Sequence, residues 1–199
     1  MGTIICLLGK SGTGKDTLLR LALEALPLRP LVPYTTRPRR SGEREGAQYH
    51  FVTEEEMDRM AAAGQIIERR SYDTVHGVWH YFTAAAALAP DSDYILITTP
   101  AALPAIVACF GTKRVVAVLL EAGDQVRLER SIRREAGQPR PDFAEVCRRY
   151  LSDEADFAGP LLPEAVPRGY IDADHSPEDC LFQLMRLLAL SADENGNNR

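Results

Sequence analysis

The chain has 199 residues, 45% hydrophobic and 26% charged, with a formal net charge of −5. Those values fit one globular domain and exclude wholesale disorder. No apolar run approaches the roughly 20 residues that span a bilayer, so a cytoplasmic protein with no membrane partner is expected.

The opening run Ile4–Leu8 is too short for a signal sequence. Met1-Gly2 lacks the hydroxyl residue of a myristoylation motif, since Cys6 stands in its place. Cys6, Cys109, Cys147 and Cys180 are scattered, with no metal-ligand spacing. Buried, reduced thiols are expected.

The arrangement of charge says more than its sum. Only 3 basic residues are lysine (Lys10, Lys15, Lys113) out of 23. Arginines cluster at Arg37, Arg39, Arg40 and Arg44, and again between Arg127 and Arg149. A guanidinium fork binds phosphate in two places at once. An acidic protein with concentrated arginines suits a small, multiply charged anion and is a poor coat for nucleic acid.

In chain order, Thr3–Leu8 is a buried strand, and helical spacing follows through Leu18, Leu19, Ala22, Leu23 and Leu26 to Pro27. Arg29–Gly46, rich in Pro, Arg and Gly, reads as loop. Tyr49–Val52 reads as a strand, and Thr53 with Glu56 forms a capping box opening a helix that Gly64 closes. Gln65–Tyr72 and Trp79–Thr83 are strands around a turn at Gly77. Tyr94–Thr99 and Arg114–Leu120 are core strands, separated by a helix from Pro100 to Gly111.

Asp124–Glu135 and Phe143–Phe157 read as helices, and Tyr170–Ile171 as a last short strand. Ser176-Pro177 caps a closing helix with the stripe Leu181, Leu184, Met185 and Leu188. The tail after Ala192 has no apolar period. Strand–helix alternation predicts a three-layer α/β core with a parallel sheet, and the Gly9–Lys15 loop after its first strand makes that core P-loop NTPase-type. A small β-rich lobe at about 33–85 and an Arg-rich helical lid at about 124–157 interrupt it.

Gly9-Lys10-Ser11-Gly12-Thr13-Gly14-Lys15 sits between a strand and a helix, the context of a phosphate-cradling loop. Its amides and the helix N-terminus suit a phosphate, and Lys15 reaches the outer phosphates. Asp16 and Thr17 follow where a hydroxyl residue normally helps hold Mg2+. Both offer the oxygen donors that ion prefers.

Thr35-Thr36-Arg37-Pro38-Arg39-Arg40-Ser41-Gly42-Glu43, continuing through Gly46 to Tyr49-His50-Phe51-Val52, resembles the monophosphate-binding segment of guanylate kinases. The resemblance runs from Thr3 to about Ser191, strongest before residue 85. It implies a single kinase domain over 1–192, with core 1–32 and 86–192, and a frayed tail at 193–199. It also implies MgATP as phosphoryl donor and GMP or dGMP as acceptor.

By the same resemblance, Arg37, Arg40, Tyr49, Tyr81 and Thr83 would hold the acceptor phosphate, and Glu68 would accept from guanine N1 and N2. Lid arginines Arg130, Arg134 and Arg148 would swing onto the transferring phosphate. Three positions depart from the family pattern. Phe82 replaces a glycine, Thr99 stands where an aspartate is expected, and Pro33 replaces a guanine-contacting serine.

Arg127, Arg130 and Arg134 share a helix face within about 60°, with no acid on that stripe, so an anionic ligand is the expected compensation. His50, His76, His80 and His175 show no ligand spacing. Two other readings stay open. One is a related P-loop kinase acting on a different nucleotide or ribose 1,5-bisphosphate. The other is a non-catalytic module that binds a phosphopeptide through the same arginines, against which the intact Gly9–Lys15 loop counts.

Overall fold

In the computed structural model, residues 2–39, 43–74, 77–85, 88–89, 91–159, 166 and 168–196 are described. The elements of the first half are β1 (Ile4–Leu8), α1 (Lys15–Ala25), β2 (Arg29–Pro30), β3 (Tyr34–Thr35), β4 (His50–Phe51), α2 (Glu54–Ala62), β5 (Ile66–Thr74) and β6 (Gly77–Ala84). Those of the second half are β7 (Tyr94–Ile97), α3 (Leu103–Phe110), β8 (Val115–Glu121), α4 (Asp124–Ala136), α5 (Phe143–Asp156), β9 (Arg168–Asp172) and α6 (Pro177–Gly196).

The core sheet runs β2-β7-β1-β8-β9, parallel throughout. Side chains alternate across a strand, so β1 feeds both faces. Ile4, Cys6 and Leu8 pack with Leu103 and Ile106 of α3. Ile5 and Leu7 pack with Leu18 and Ala22 of α1 and Leu184 of α6. That is the expected three-layer core. Loops at the C-terminal ends of such parallel strands form the crevice where ligands bind.

The lobe is a second sheet, ordered β4-β3-β6-β5. Its small core holds Met57, Phe82 and Ala84, with Tyr34 and Ile66 against them. Phe82 is fully buried and stacks on Tyr34 at 5.1 Å. The aromatic ring where the family has glycine is therefore a packing residue of the lobe. The Thr53–Glu56 capping box is present with both reciprocal bonds.

Several expectations are corrected. β2 and β3 lie inside the stretch read as loop. Pro30 has no N–H and sits on the edge strand, where none is needed. The α3 helix starts at Leu103 rather than Pro100, with a proline in its first turn. Met185 is 43% exposed, off the buried stripe of α6, which continues beyond Ala192 to Gly196.

The thiols divide: Cys6 and Cys180 are buried, whereas Cys109 and Cys147 are exposed. Burial pushes the Cys6 thiol up to about 12. Maleimide is expected to label Cys109 and Cys147 in the native protein and all four cysteines only after denaturation. Peptide mass spectrometry would read this directly, and native labelling of Cys6 would contradict the buried β1.

Candidate active site

The glycine loop leaves β1 and enters α1 at Lys15. Gly14 precedes the helix at φ 90, and no side chain caps the helix. A left-handed glycine at that turn aims the first amides of α1 outward, where a phosphate can accept from them. At Gly12 (φ +83) a Cβ would lie 2.4 Å from the carbonyl oxygen of Arg127. The loop and α4 thus meet backbone to backbone, and only glycine fits.

The Lys15 ammonium folds over the loop, donating to the carbonyls of Gly9 at 2.7 Å and Lys10 at 2.9 Å. Burial pulls its pKa below the ordinary value, while Asp16 and Asp153 pull the other way and Arg134 adds to the lowering. A charged group held in this way gains from an arriving anion.

Helix α5 is tied to the same loop. The Ser11 amide donates to Asp153 at 2.6 Å, and Lys10 pairs with Glu154 at 2.6 Å. Arg127, 1% exposed, donates to Asp124 at 2.7 Å and to Glu154 at 2.8 Å, with its guanidinium 4.8 Å from the Tyr150 ring centroid. This corrects the expectation that the arginine stripe has no acidic partner. One acid lies three residues before Arg127, and the other comes from the neighbouring helix.

The other lid arginines divide. Arg130 donates to the Ala173 carbonyl at 2.9 Å and lies 3.5 Å from that of Gly12. Arg134 lines a cleft with Ser11 and Tyr150 and is close enough to Lys15 to disfavour its charge. Arg148 is 65% exposed and held by Glu145. A second cleft of about 300 Å3 beside the loop is lined by Thr13, Gly14, Thr17, Arg130 and His175. His175, one of the four histidines without ligand spacing, therefore stands next to the phosphate loop. Sequence spacing held no signal for it.

Arg148 and Arg149 both donate to Glu145, which sits at about 2 against an ordinary 4.5, held there first by Arg148. A depressed carboxylate stabilises the fold above its unfolded value and loses that contribution as pH falls towards its folded one. Lid stability is expected to drop between pH 4.5 and about 2. Glu145→Gln should flatten that part of the urea-midpoint profile. An unchanged profile would show that the pairing adds nothing to the fold.

On the lobe, β5 and β6 pair Glu68 with Thr83 and Arg70 with Tyr81, so these four share one face. The Tyr49 ring lies 5.6 Å from that of Tyr81, and the Arg37 guanidinium lies 5.7 Å from the Tyr49 ring. Arg37 is 3% exposed and grips Glu43 through both Nη atoms, at 3.1 and 2.7 Å. Burial disfavours its charge, but the bonds to Glu43 and Tyr81 outweigh it and raise its pKa. Its fork is thus engaged inside the protein rather than open to solvent.

The Tyr49 phenol is pushed up, mainly by burial, so it stays a hydrogen-bond donor. Thr83 donates to Glu68 at 2.8 Å, and Arg70 Nε lies 3.2 Å from the same carboxylate. The structure therefore brings together Arg37, Tyr49, Glu68, Tyr81 and Thr83, and adds Arg70. Arg40 lies outside the described residues.

Asp16 and Thr17 are exposed in the first turn of α1, and Asp16 acts electrostatically on Tyr49 across the crevice. Two oxygen donors beside a phosphate loop fit Mg2+, which takes few protein ligands and completes its shell with phosphate and water. Among the described residues, no cluster of three acidic, His or Cys ligands offers an all-protein metal cage.

The parallel sheet and its glycine loop define the class: a P-loop protein of the three-layer α/β type. Residues 1–80 match the family model described as guanylate kinase. A guanylate kinase of Syntrophotalea carbinolica is 42% identical over 88 residues, covering 44% of this chain and 40% of that protein. One of Granulibacter bethesdensis is 44% identical over 82 residues, 38% of each chain.

The chain spans about two-fifths of the length of the curated relatives it matches. The crystal structure of guanylate kinase from Anaplasma phagocytophilum has the same fold. It covers 95% of this chain and 85% of its own at TM-score 0.66 and 20% identity. The first 80 residues are thus guanylate kinase-like in sequence, and the fold is similar to that of the guanylate kinase structure over 95% of the chain.

Proposed function

We propose that the protein transfers the γ-phosphoryl group of ATP to GMP, and to dGMP, giving ADP and GDP. The observation that carries this reading is one crevice with two faces. A phosphate loop with its lysine stands on one side. On the other, Glu68, Tyr81 and Thr83 share a sheet face, with Tyr49 and Arg37 beside Tyr81. The guanylate kinase match over residues 1–80 points the same way.

In this reading, the loop amides of Gly9–Lys15 cradle the donor phosphates, and Lys15, Arg130, Arg134 and Arg148 neutralise charge on the migrating group. Arg37, Arg40, Tyr49, Tyr81 and Thr83 hold the acceptor phosphate, and Glu68 receives the donor edge of guanine. Mg2+, held by Asp16 and Thr17, would supply charge neutralisation at the donor phosphates. Positioning and electrostatics suffice, with no covalent intermediate on the protein.

The working unit is residues 1–192 as one domain: core 1–32 and 86–192, acceptor lobe 33–85, and lid 124–157. Closure of lobe and lid would exclude water and suppress ATP hydrolysis. Among the described residues, no helix is long and apolar enough to cross a membrane. We place the protein in the cytoplasm with nucleotides as its partners.

The test is a coupled ADP-release assay over GMP, dGMP, AMP, CMP, UMP and ribose 1,5-bisphosphate. The highest kcat/KM is expected for GMP. No turnover with GMP would remove the reading, and turnover with ribose 1,5-bisphosphate alone would replace it.

A further inference from the structure

Arg70 belongs to the acceptor face, yet the function proposed above does not use it. It stands two residues from Glu68 on the same side of β5 and opposite Tyr81 of β6. Its Nε lies 3.2 Å from the Glu68 carboxylate, and its Nη1 lies 3.4 Å from the Thr99 hydroxyl. One guanidinium thus links the lobe to the residues following β7, across the crevice where an acceptor would sit.

Glu68 is only 7% exposed, whereas Arg70 is 29% exposed, so the arginine is the more open of the pair. Thr83 fixes the other carboxylate oxygen. A guanidinium has five N–H donors, and two of these are aimed at Glu68 and Thr99. Donors remain for a ligand.

We propose that Arg70 is a specificity-determining residue, donating to the 6-oxo group of a purine whose N1–H and 2-amino donors meet Glu68. This rests on the guanine reading and deepens it. Carboxylate followed by guanidinium presents acceptor, then donor. A 6-oxopurine presents the complement along its edge: a donor at N1, then an acceptor at O6. Adenine presents the reverse, an acceptor at N1 facing the carboxylate and an amino donor facing the guanidinium, so both contacts fail together. Pro33, beside the lobe strand β3, has no side-chain donor to take this role, and Thr99 holds the arginine from the far side.

The test measures kcat/KM for GMP, IMP and AMP in the full-length protein, with Arg70→Ala and Arg70→Lys beside wild type. IMP keeps O6 and N1–H but lacks the 2-amino group. Arg70→Ala should lower GMP and IMP alike, by about 10- to 100-fold, with their ratio held. AMP should change by less than about threefold, so the GMP:AMP ratio collapses. Arg70→Lys, with a point charge in place of a fork, should fall between. KM for ATP should hold in both variants, which a general loss of structure would not allow.

Equal losses for GMP, IMP and AMP would make Arg70 a phosphate clamp and overturn the inference. A GMP:AMP ratio unchanged in Arg70→Ala would overturn it too. A wild-type protein with no preference for GMP over AMP would instead bring down the guanine reading itself. The two failures are thus told apart before any variant is made.

Discussion

Lys15→Met is expected to lower turnover about a hundredfold or more. The ammonium is held across the loop by the Gly9 and Lys10 carbonyls, and an ammonium has three donors, so one is left for a phosphate. Burial disfavours its charge, and the nearby carboxylates of Asp16 and Asp153 only partly offset this. A donor phosphate completes the compensation, most strongly where charge builds during transfer. Methionine keeps the length and apolar stem but has no charge to offer.

The loss should therefore fall on kcat, with the KM for GMP moved far less, because the acceptor lobe is untouched. Single-turnover rates at saturating ATP would separate chemistry from release. Near-normal turnover in this variant would detach the glycine loop from the reaction.

The loop was legible because its signal is local. A buried strand, a glycine run with its closing lysine and a helix follow one another without a break from Ile4 to Ala25, and β1 and α1 are where the pattern places them. The Thr53–Glu56 box is equally local, and both its bonds are present. The lobe was legible in outline because Tyr81 and Thr83 fall on a recognisable strand, β6, and Tyr49 directly precedes another, β4. The two-residue strands β2 and β3 were not, since two residues carry no period. They exist because partner strands β7 and β6 supply their hydrogen bonds.

What the sequence withheld depends on contacts far apart in the chain. Arg127 was read as one of an uncompensated stripe, but its second acid, Glu154, lies 27 residues away on another helix. The tie from Asp153 to the Ser11 amide spans 142 residues. Arg70 lay unremarked beside Glu68, because its reach to Thr99 appears only when lobe and core are folded together. The Phe82 departure has the opposite explanation. In sequence it stands only as a departure from the family's glycine, and it is the centre of the lobe's core, its ring buried against Tyr34.

Glu68→Gln should narrow the preference for GMP over AMP more than it slows the chemistry. In the native site the carboxylate accepts from Thr83 at 2.8 Å and from Arg70 at 3.2 Å, in a position only 7% exposed. A base offering N1–H and a 2-amino group adds charge-assisted bonds to it. A base offering an acceptor there leaves the buried carboxylate short of a donor, at a cost of about 1.5–3 kcal/mol, or roughly 10- to 150-fold. Glutamine fills the same volume but carries no charge, and one end of its amide is a donor facing the guanine donors. The GMP term should therefore weaken while AMP, which meets a less hostile group, holds or improves. Because Lys15 and the lid lie on the other side of the crevice, kcat at saturating GMP should fall by less than the GMP:AMP ratio of kcat/KM. A Gln variant that keeps the full ratio would remove Glu68 from base recognition and leave it as an internal partner for Thr83 and Arg70.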